Sequence, residues 1–271
     1  MGLLDGRVAF VTGAARGQGR SHAVTLAKEG ASIIAIDING PVTPDNGYPA
    51  ATPEDMTETV RLVEATNQRI VHRQADVRDS AAIESVLAEG VAELGGRLDV
   101  VVANAGISNW NRFWEMSDDQ WQVMIDINLT GVWRTLKAAV PIMIDAGNGG
   151  SLIAISSSSG IKSLPAQAHY AAAKHGVTGL TKTAAIELGE YGIRVNSIHP
   201  WSVVGAMGQD TTMGAILDKH PEYRASFASM LPELRSADPL DISNAVVWLA
   251  SDLSRAVTAT QLTVDMGATK M

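Results

Sequence analysis

Short apolar runs alternating with longer helical patterns constrain the fold of this chain more than any other feature. Residues 7–12, 32–37, 70–74, 98–104, 152–156, 194–199 and 262–264 read as strands. Between them, residues 18–29, 54–66, 80–93, 118–146, 166–190 and 239–251 carry helical patterns. Strands that are apolar along most of their length, each followed by a helix, are buried on both faces. That pattern predicts an α/β fold with one doubly wound parallel sheet of about seven strands and helices on both sides. The 271 residues show no internal repeat and no linker-like shift of composition, so a single domain over 1–271 is expected. Two stretches break the rhythm. Residues 38–53 hold four prolines and two glycines and are expected to form an irregular insertion. Residues 203–238, rich in Met, Gly and scattered apolar side chains, are expected to form a mobile substrate loop rather than a regular element.

Composition removes several function classes. A net charge of -8 argues against nucleic acid or an anionic membrane surface as the main partner. Cysteine is absent, which excludes disulfides and thiolate metal sites and fits a cytoplasmic location. No apolar stretch approaches the length of a membrane span, and the first residues lack a signal-peptide pattern. The six histidines show no metal-ligand spacing, so no metal is expected.

The turn after the first strand is glycine-rich: Thr12-Gly13-Ala14-Ala15-Arg16-Gly17-Gln18-Gly19. Glycines there let the chain turn tightly, and backbone N–H groups at the helix start can approach a pyrophosphate. Gly13, Arg16, Gly17, Gln18 and Gly19 are therefore candidate contacts of a dinucleotide on a Rossmann-type sheet. Asp37 ends the second strand, where a carboxylate can accept hydrogen bonds from the adenosine ribose hydroxyls and repel the 2′-phosphate of NADP. Arg16 is a cation that could pair with that phosphate; the carboxylate weighs more, and NAD is the expected cofactor. Asp76-Val77 and Asn104-Ala105-Gly106 follow the third and fourth strands, at the carboxyl ends where open α/β sheets bind ligands. Asp76 is placed to accept from the adenine amino group, and Ala105 and Gly106 to let the cofactor lie against backbone.

Tyr170 and Lys174 stand four apart in a helical pattern and so share a face. A phenol is a poor base at neutral pH, with a pKa of about 10. A nearby ammonium favours the phenolate and is expected to lower that value. By itself the pair is weak, because Tyr-x-x-x-Lys occurs often by chance and an exposed helix face is the commoner reading.

In order along the chain, Thr12-Gly-x-x-x-Gly-x-Gly19, Asp37, Asp76-Val77, Asn104-Ala-Gly106, Asn128, Ser157, Tyr170-x-x-x-Lys174 and Arg194-Val-Asn-Ser-Ile-His-Pro200 resemble the short-chain dehydrogenase/reductase family over nearly the whole length. That resemblance implies catalysis by Asn128, Ser157, Tyr170 and Lys174. Tyr170 would act as general base toward a carbinol, Ser157 would orient the substrate oxygen, and Lys174 would also hold the nicotinamide ribose. Asn128 would join a water relay. Asn is mildly unfavourable inside a helix, which gives Asn128 independent weight. Pro200 and Val203 would flank the nicotinamide carboxamide.

The insertion after Asp37, together with 13–23, 74–79 and Lys174-His-Gly176, further resembles the mycofactocin-coupled, carveol dehydrogenase-like group. This implies a tightly held NAD re-oxidised in place by a redox partner; the wider family resemblance implies a homo-oligomer, commonly a tetramer. The chain departs from the family at Pro200-Trp201-Ser202-Val203-Val204-Gly205, where Gly205 replaces a threonine and Trp201 adds bulk. Trp110, Trp114, Trp201, Met207 and Ser157 are the expected substrate pocket, suited to a small hydrophobic alcohol or ketone. An NADP-dependent ketoreductase and a non-catalytic nucleotide sensor are the alternative readings.

Overall fold

The computed structural model describes residues 2–231 and 233–271. Seven strands, β1 (Val8–Thr12), β2 (Ser32–Asp37), β3 (Ile70–Gln74), β4 (Val100–Ala103), β5 (Gly150–Ile155), β6 (Ile193–Pro200) and β7 (Gln261–Val264), form one sheet in the order β3-β2-β1-β4-β5-β6-β7. All six pairings are parallel. The strand order reverses between β1 and β4, which opens a crevice at their carboxyl ends.

Side-chain alternation along each central strand feeds two cores. Val8 and Phe10 of β1 and Val101 and Ala103 of β4 face one layer. That layer is built from α3 (Ser80–Glu93), α4 (Asp118–Ile125), α5 (Val132–Ala146) and α6 (Ala168–Leu188). Ala9, Val11, Val100 and Val102 face the other, built from α1 (Gly17–Lys28), α2 (Pro53–Glu64) and α8 (Pro239–Ala250). Among the described residues no helix is long and apolar enough to cross a membrane.

Two expected elements differ from the structure. The helix expected over 118–146 is interrupted by a π-helical turn at Asp126–Gly131. There the Asn128 amide donates to the Met124 carbonyl at 3.2 Å, competing with the backbone ladder. Gly131 lets this turn approach the end of β3: a Cβ on it would lie 2.7 Å from Val77 Cγ2.

The stretch 203–238, expected to be irregular, contains the helix α7 (Thr211–Lys219) and two 3-10 turns, Ala206–Gln209 and Pro221–Phe227. Asp210 caps α7, accepting from Thr212 N at 2.8 Å. The ends of the stretch meet where Ala237 N donates to Ser202 O (2.8 Å) and Val204 N to Ala237 O (3.0 Å). The insertion 38–53 is irregular, as its prolines require, until Thr52 and Asp55 form a capping box at the start of α2.

Candidate active site

The crevice is a cleft of about 500 Å³ running from the glycine turn to Tyr170. Its floor is the switch point itself. Thr12 Oγ accepts from the backbone N–H groups of Asn104 and Ala105, both at 3.0 Å. Asn104 Nδ2 donates back to Thr12 O (2.9 Å) and Gly13 O (3.2 Å), lacing β1 to β4. The two glycines at the bend have no room for a side chain. A Cβ on Gly19 would lie 1.9 Å from Gly13 O, and one on Gly13 (φ +67) 2.8 Å from Ala105 Cα. The residue before α1 is Arg16, whose side chain makes no cap. In contrast, α2, α3, α4, α7 and α8 are all capped by side chains. The N–H groups of α1 thus face the cleft without a side-chain cap, beside Gly17, Gln18 and a buried Gln18 Oε1 that has no partner. This cradle fits a pyrophosphate.

At the adenosine end, Asp37 is 8% exposed, and its carboxylate is fixed by the N–H groups of Ala15 (3.0 Å) and Asn39 (3.1 Å). Asp76 and Val77 line the same end. Asp76 is already paired with Arg78, whose Nε donates to it at 2.8 Å, so an adenine amino group would share that carboxylate. Arg16 lines the cleft but donates to the Pro49 carbonyl of the insertion. A 2′-phosphate would have to compete for it.

At the far end, Tyr170 and Lys174 are both buried, with Lys174 Nζ 5.5 Å from the centroid of the Tyr170 ring. Lys174 Nζ donates to Ile155 O at 2.9 Å, at the carboxyl end of β5. Burial pushes the Lys174 ammonium down to about 8. It also pushes the Tyr170 phenol up from 10.0, with the Ser157 hydroxyl acting the other way. The expected lowering of the phenol by Lys174 is therefore corrected: desolvation by burial dominates and the phenol is raised. Ser157 follows β5, with its Oγ accepting from Ser159 N at 3.1 Å and its carbonyl 2.7 Å from His199 Nδ1. Asn128 is fully buried in the π turn, where its amide donates to Ile107 O (3.0 Å) and accepts from Ile107 N (3.2 Å). Gly106 admits both groups, since a Cβ there would meet Asn128 Oδ1 at 2.6 Å and Lys174 Nζ at 3.7 Å.

Val203, Gly205 and Met207 line the cleft from above. Pro200 instead closes β6 against Val264, off the cleft wall. Trp110 and Trp201 flank Phe227, with ring centroids 5.7 and 6.1 Å away, in an aromatic cluster outside the residues that line the cleft. Trp114 is a correction. It is 61% exposed, packs edge-on against Phe113 and carries Arg112 over its face. Asn109 is fully buried and Asn111 N is bonded to Ala166 O at 3.0 Å, so the chain is pinned inward there and residues 113–114 project outward.

Sequence reasoning missed the inner face of the insertion. Tyr48, Asn46 and Val42 line the cleft, and Tyr48 Oη accepts from Ser108 N at 3.1 Å. Burial pushes the Tyr48 phenol up to about 12. Tyr48 is the one aromatic residue in 38–53, a signal available in the sequence. Gly47 O accepts from Thr211 N (3.2 Å), joining the insertion to the start of α7 over the cleft.

A family model described as Enoyl-(Acyl carrier protein) reductase matches residues 13–269. A Mycobacterium tuberculosis protein described as an uncharacterized NAD-dependent oxidoreductase is 55% identical over 270 residues, covering 99% of this chain and 98% of its own. The crystal structure of a Mycobacterium paratuberculosis short chain dehydrogenase bound to NAD superposes with a TM-score of 0.97 at 48% identity, covering both chains fully. That of a Mycobacterium avium carveol dehydrogenase in complex with NAD gives 0.94 at 48% identity, also over both full chains. With its glycine cradle, its Asp37 and its buried Tyr170-Lys174 pair in one cleft, the chain belongs to the short-chain dehydrogenase/reductase family.

Proposed function

We propose that the protein is an NAD-dependent oxidoreductase that interconverts a hydrophobic alicyclic or terpenoid secondary alcohol and its ketone. The observation that carries this reading is the burial of Tyr170 and Lys174 side by side in the cleft whose other end holds the glycine turn and Asp37. NAD bound there supplies the hydride acceptor. In the oxidation direction Tyr170 takes the carbinol proton, Ser157 accepts or donates a hydrogen bond at the carbinol oxygen, and Lys174 holds ribose hydroxyls while stabilising the phenolate. Asn128, anchored to Ile107, shapes a proton path from Lys174 toward solvent. Positioned acid–base groups of this kind contribute about 10²–10⁴-fold in rate. Trp110, Trp201 and Met207 favour an apolar substrate body.

NAD rather than NADP is supported by the fixed Asp37 carboxylate and by the engagement of Arg16 with Pro49. Retention of both Tyr170 and Lys174 counts against a non-catalytic nucleotide sensor. The insertion lines the cleft and joins α7, which supports a cofactor that would be held through many turnovers and re-oxidised in place by a redox partner. A homotetramer assembled through α4, α5 and α6 completes the proposal.

Denaturing the purified protein and identifying the released nucleotide tests the cofactor assignment. Stoichiometric NAD, reduced in place when carveol is added to the native protein, is the expected result. Release of NADP, or of no nucleotide from a protein that then ignores NAD, would overturn it.

A further inference from the structure

Two hydrogen-bonded chains, part-buried at the insertion and buried further in, run inward, one to Ser157 and one to His169 beside Tyr170. The first begins at Tyr48, whose ring lines the cleft together with Tyr170. Tyr48 Oη accepts from Ser108 N (3.1 Å), and Ser108 Oγ accepts from Gln167 Nε2 (3.0 Å). Gln167 Oε1 accepts from Ser159 Oγ (3.4 Å), and Ser159 N donates to Ser157 Oγ (3.1 Å). Ser108, Gln167, Ser159 and Ser157 are each 9% exposed or less.

Gln167 holds the cap position of α6, where Ser, Thr, Asp or Asn would ordinarily satisfy the first N–H groups. Its side chain makes no cap bond and bridges two loops instead. The residue before it, Ala166, sits at φ +61, a left-handed conformation that is strained for a non-glycine residue.

The second chain begins at Asn46. Asn46 Oδ1 accepts from Asn109 Nδ2 (3.3 Å). Asn109 Oδ1 accepts from Gln120 Nε2 (2.8 Å) and lies 2.7 Å from Nε2 of His169, the neighbour of Tyr170. Because Asn109 presents its oxygen, the His169 ring carries its proton on Nε2 and donates; burial keeps it neutral, with a pKa lowered to about 4.

We propose that Asn46 and Tyr48 make the insertion a positioning element for catalysis, coupling closure over the nucleotide to the orientation of Ser157 and of the first turn of α6, which carries Tyr170. Tyr48 and Gln167 are positioning residues: they act through Ser157 and not on the reacting atoms. This rests on the dehydrogenase reading above but goes beyond cofactor retention, because it assigns the insertion an effect on the chemical step. Buried polar chains of this kind are stiff only while every link is satisfied.

The test uses Tyr48→Phe, which keeps the ring, Gln167→Leu, and the double variant, in the full chain with saturating NAD. Two readouts are taken: amide hydrogen exchange over residues 157–172, and the single-turnover rate of bound-NAD reduction by carveol. Each single variant is expected to keep wild-type NAD occupancy, to raise exchange at Ser159 and the start of α6, and to slow reduction about tenfold, the scale of one net hydrogen bond. The double variant is expected to be no slower than the worse single, because both break one chain. Unchanged exchange overturns the proposal, as do rate losses that multiply in the double variant or that vanish once excess NAD restores occupancy. If wild-type protein fails to reduce its NAD with carveol, the functional reading fails instead, and the exchange readout still decides the coupling.

Discussion

Three histidines, His22, His169 and His199, are fully buried on three different elements, and their protonation sets a limit on the fold. Burial lowers their pKa values to about 3, 4 and 4, against 6.5 in the open chain. Above 6.5 neither state binds the proton, and their contribution to stability is complete. Between 6.5 and those lowered values the unfolded chain binds protons that the native one refuses, so stability falls as the pH falls, by about 1.4 kcal/mol per pH unit for each histidine. Denaturant titrations from pH 7 to pH 4.5 should therefore show a steep loss of unfolding free energy. His22→Gln, which removes one of the three contributions, should reduce the slope by about a third; an unchanged slope would contradict the burial-driven shift. None of this was legible in the sequence, where the histidines served only to exclude a metal site. The same blindness affected Tyr170. Its spacing to Lys174 could be read, but the burial that raises its phenol could not.

At the scale of elements, the strands and the glycine turn were legible because apolar runs and bends are local signals. β2 falls on its Ile-rich run, and β3 begins at the Ile70-Val71 pair. The π turn at Asp126–Gly131 was not legible, since it depends on Asn128 reaching Ile107, far along the chain. Helix α7 was legible in retrospect: Asp210 is a cap, and Met213, Ile216 and Leu217 repeat at helical spacing. Scattered Met and Gly residues around it hid the pattern. Trp114 was misplaced because sequence shows an aromatic residue but not which way a pinned loop turns it.

The contact between the insertion and α7 is close enough to test. A Cβ on Gly47 would lie 2.3 Å from Asp210 Oδ1 and 2.9 Å from Thr211 N. Gly47→Ala should therefore push α7 away from the insertion and speed exchange of bound NAD, measured by chasing the loaded protein with a labelled nucleotide. An exchange rate equal to wild type would show that the two covers act separately.

For the whole molecule, the doubly wound sheet brings a pyrophosphate cradle, a carboxylate and a tyrosine–lysine pair, distant in sequence, to one edge. That convergence was legible because strand order and the carboxyl-end rule place all of them on the same side. The enclosure above it was only partly legible, because it is made by irregular backbone whose partners lie far apart in sequence. The central claim is that Tyr170 performs the proton transfer in an NAD-loaded cleft. The most direct measurement is the single-turnover reduction of bound NAD by carveol in wild-type protein and in Tyr170→Phe, with NAD content determined on both. The account predicts equal NAD content and a rate lower by about 10²–10⁴-fold in the variant. Reduction at the wild-type rate by Tyr170→Phe would contradict it.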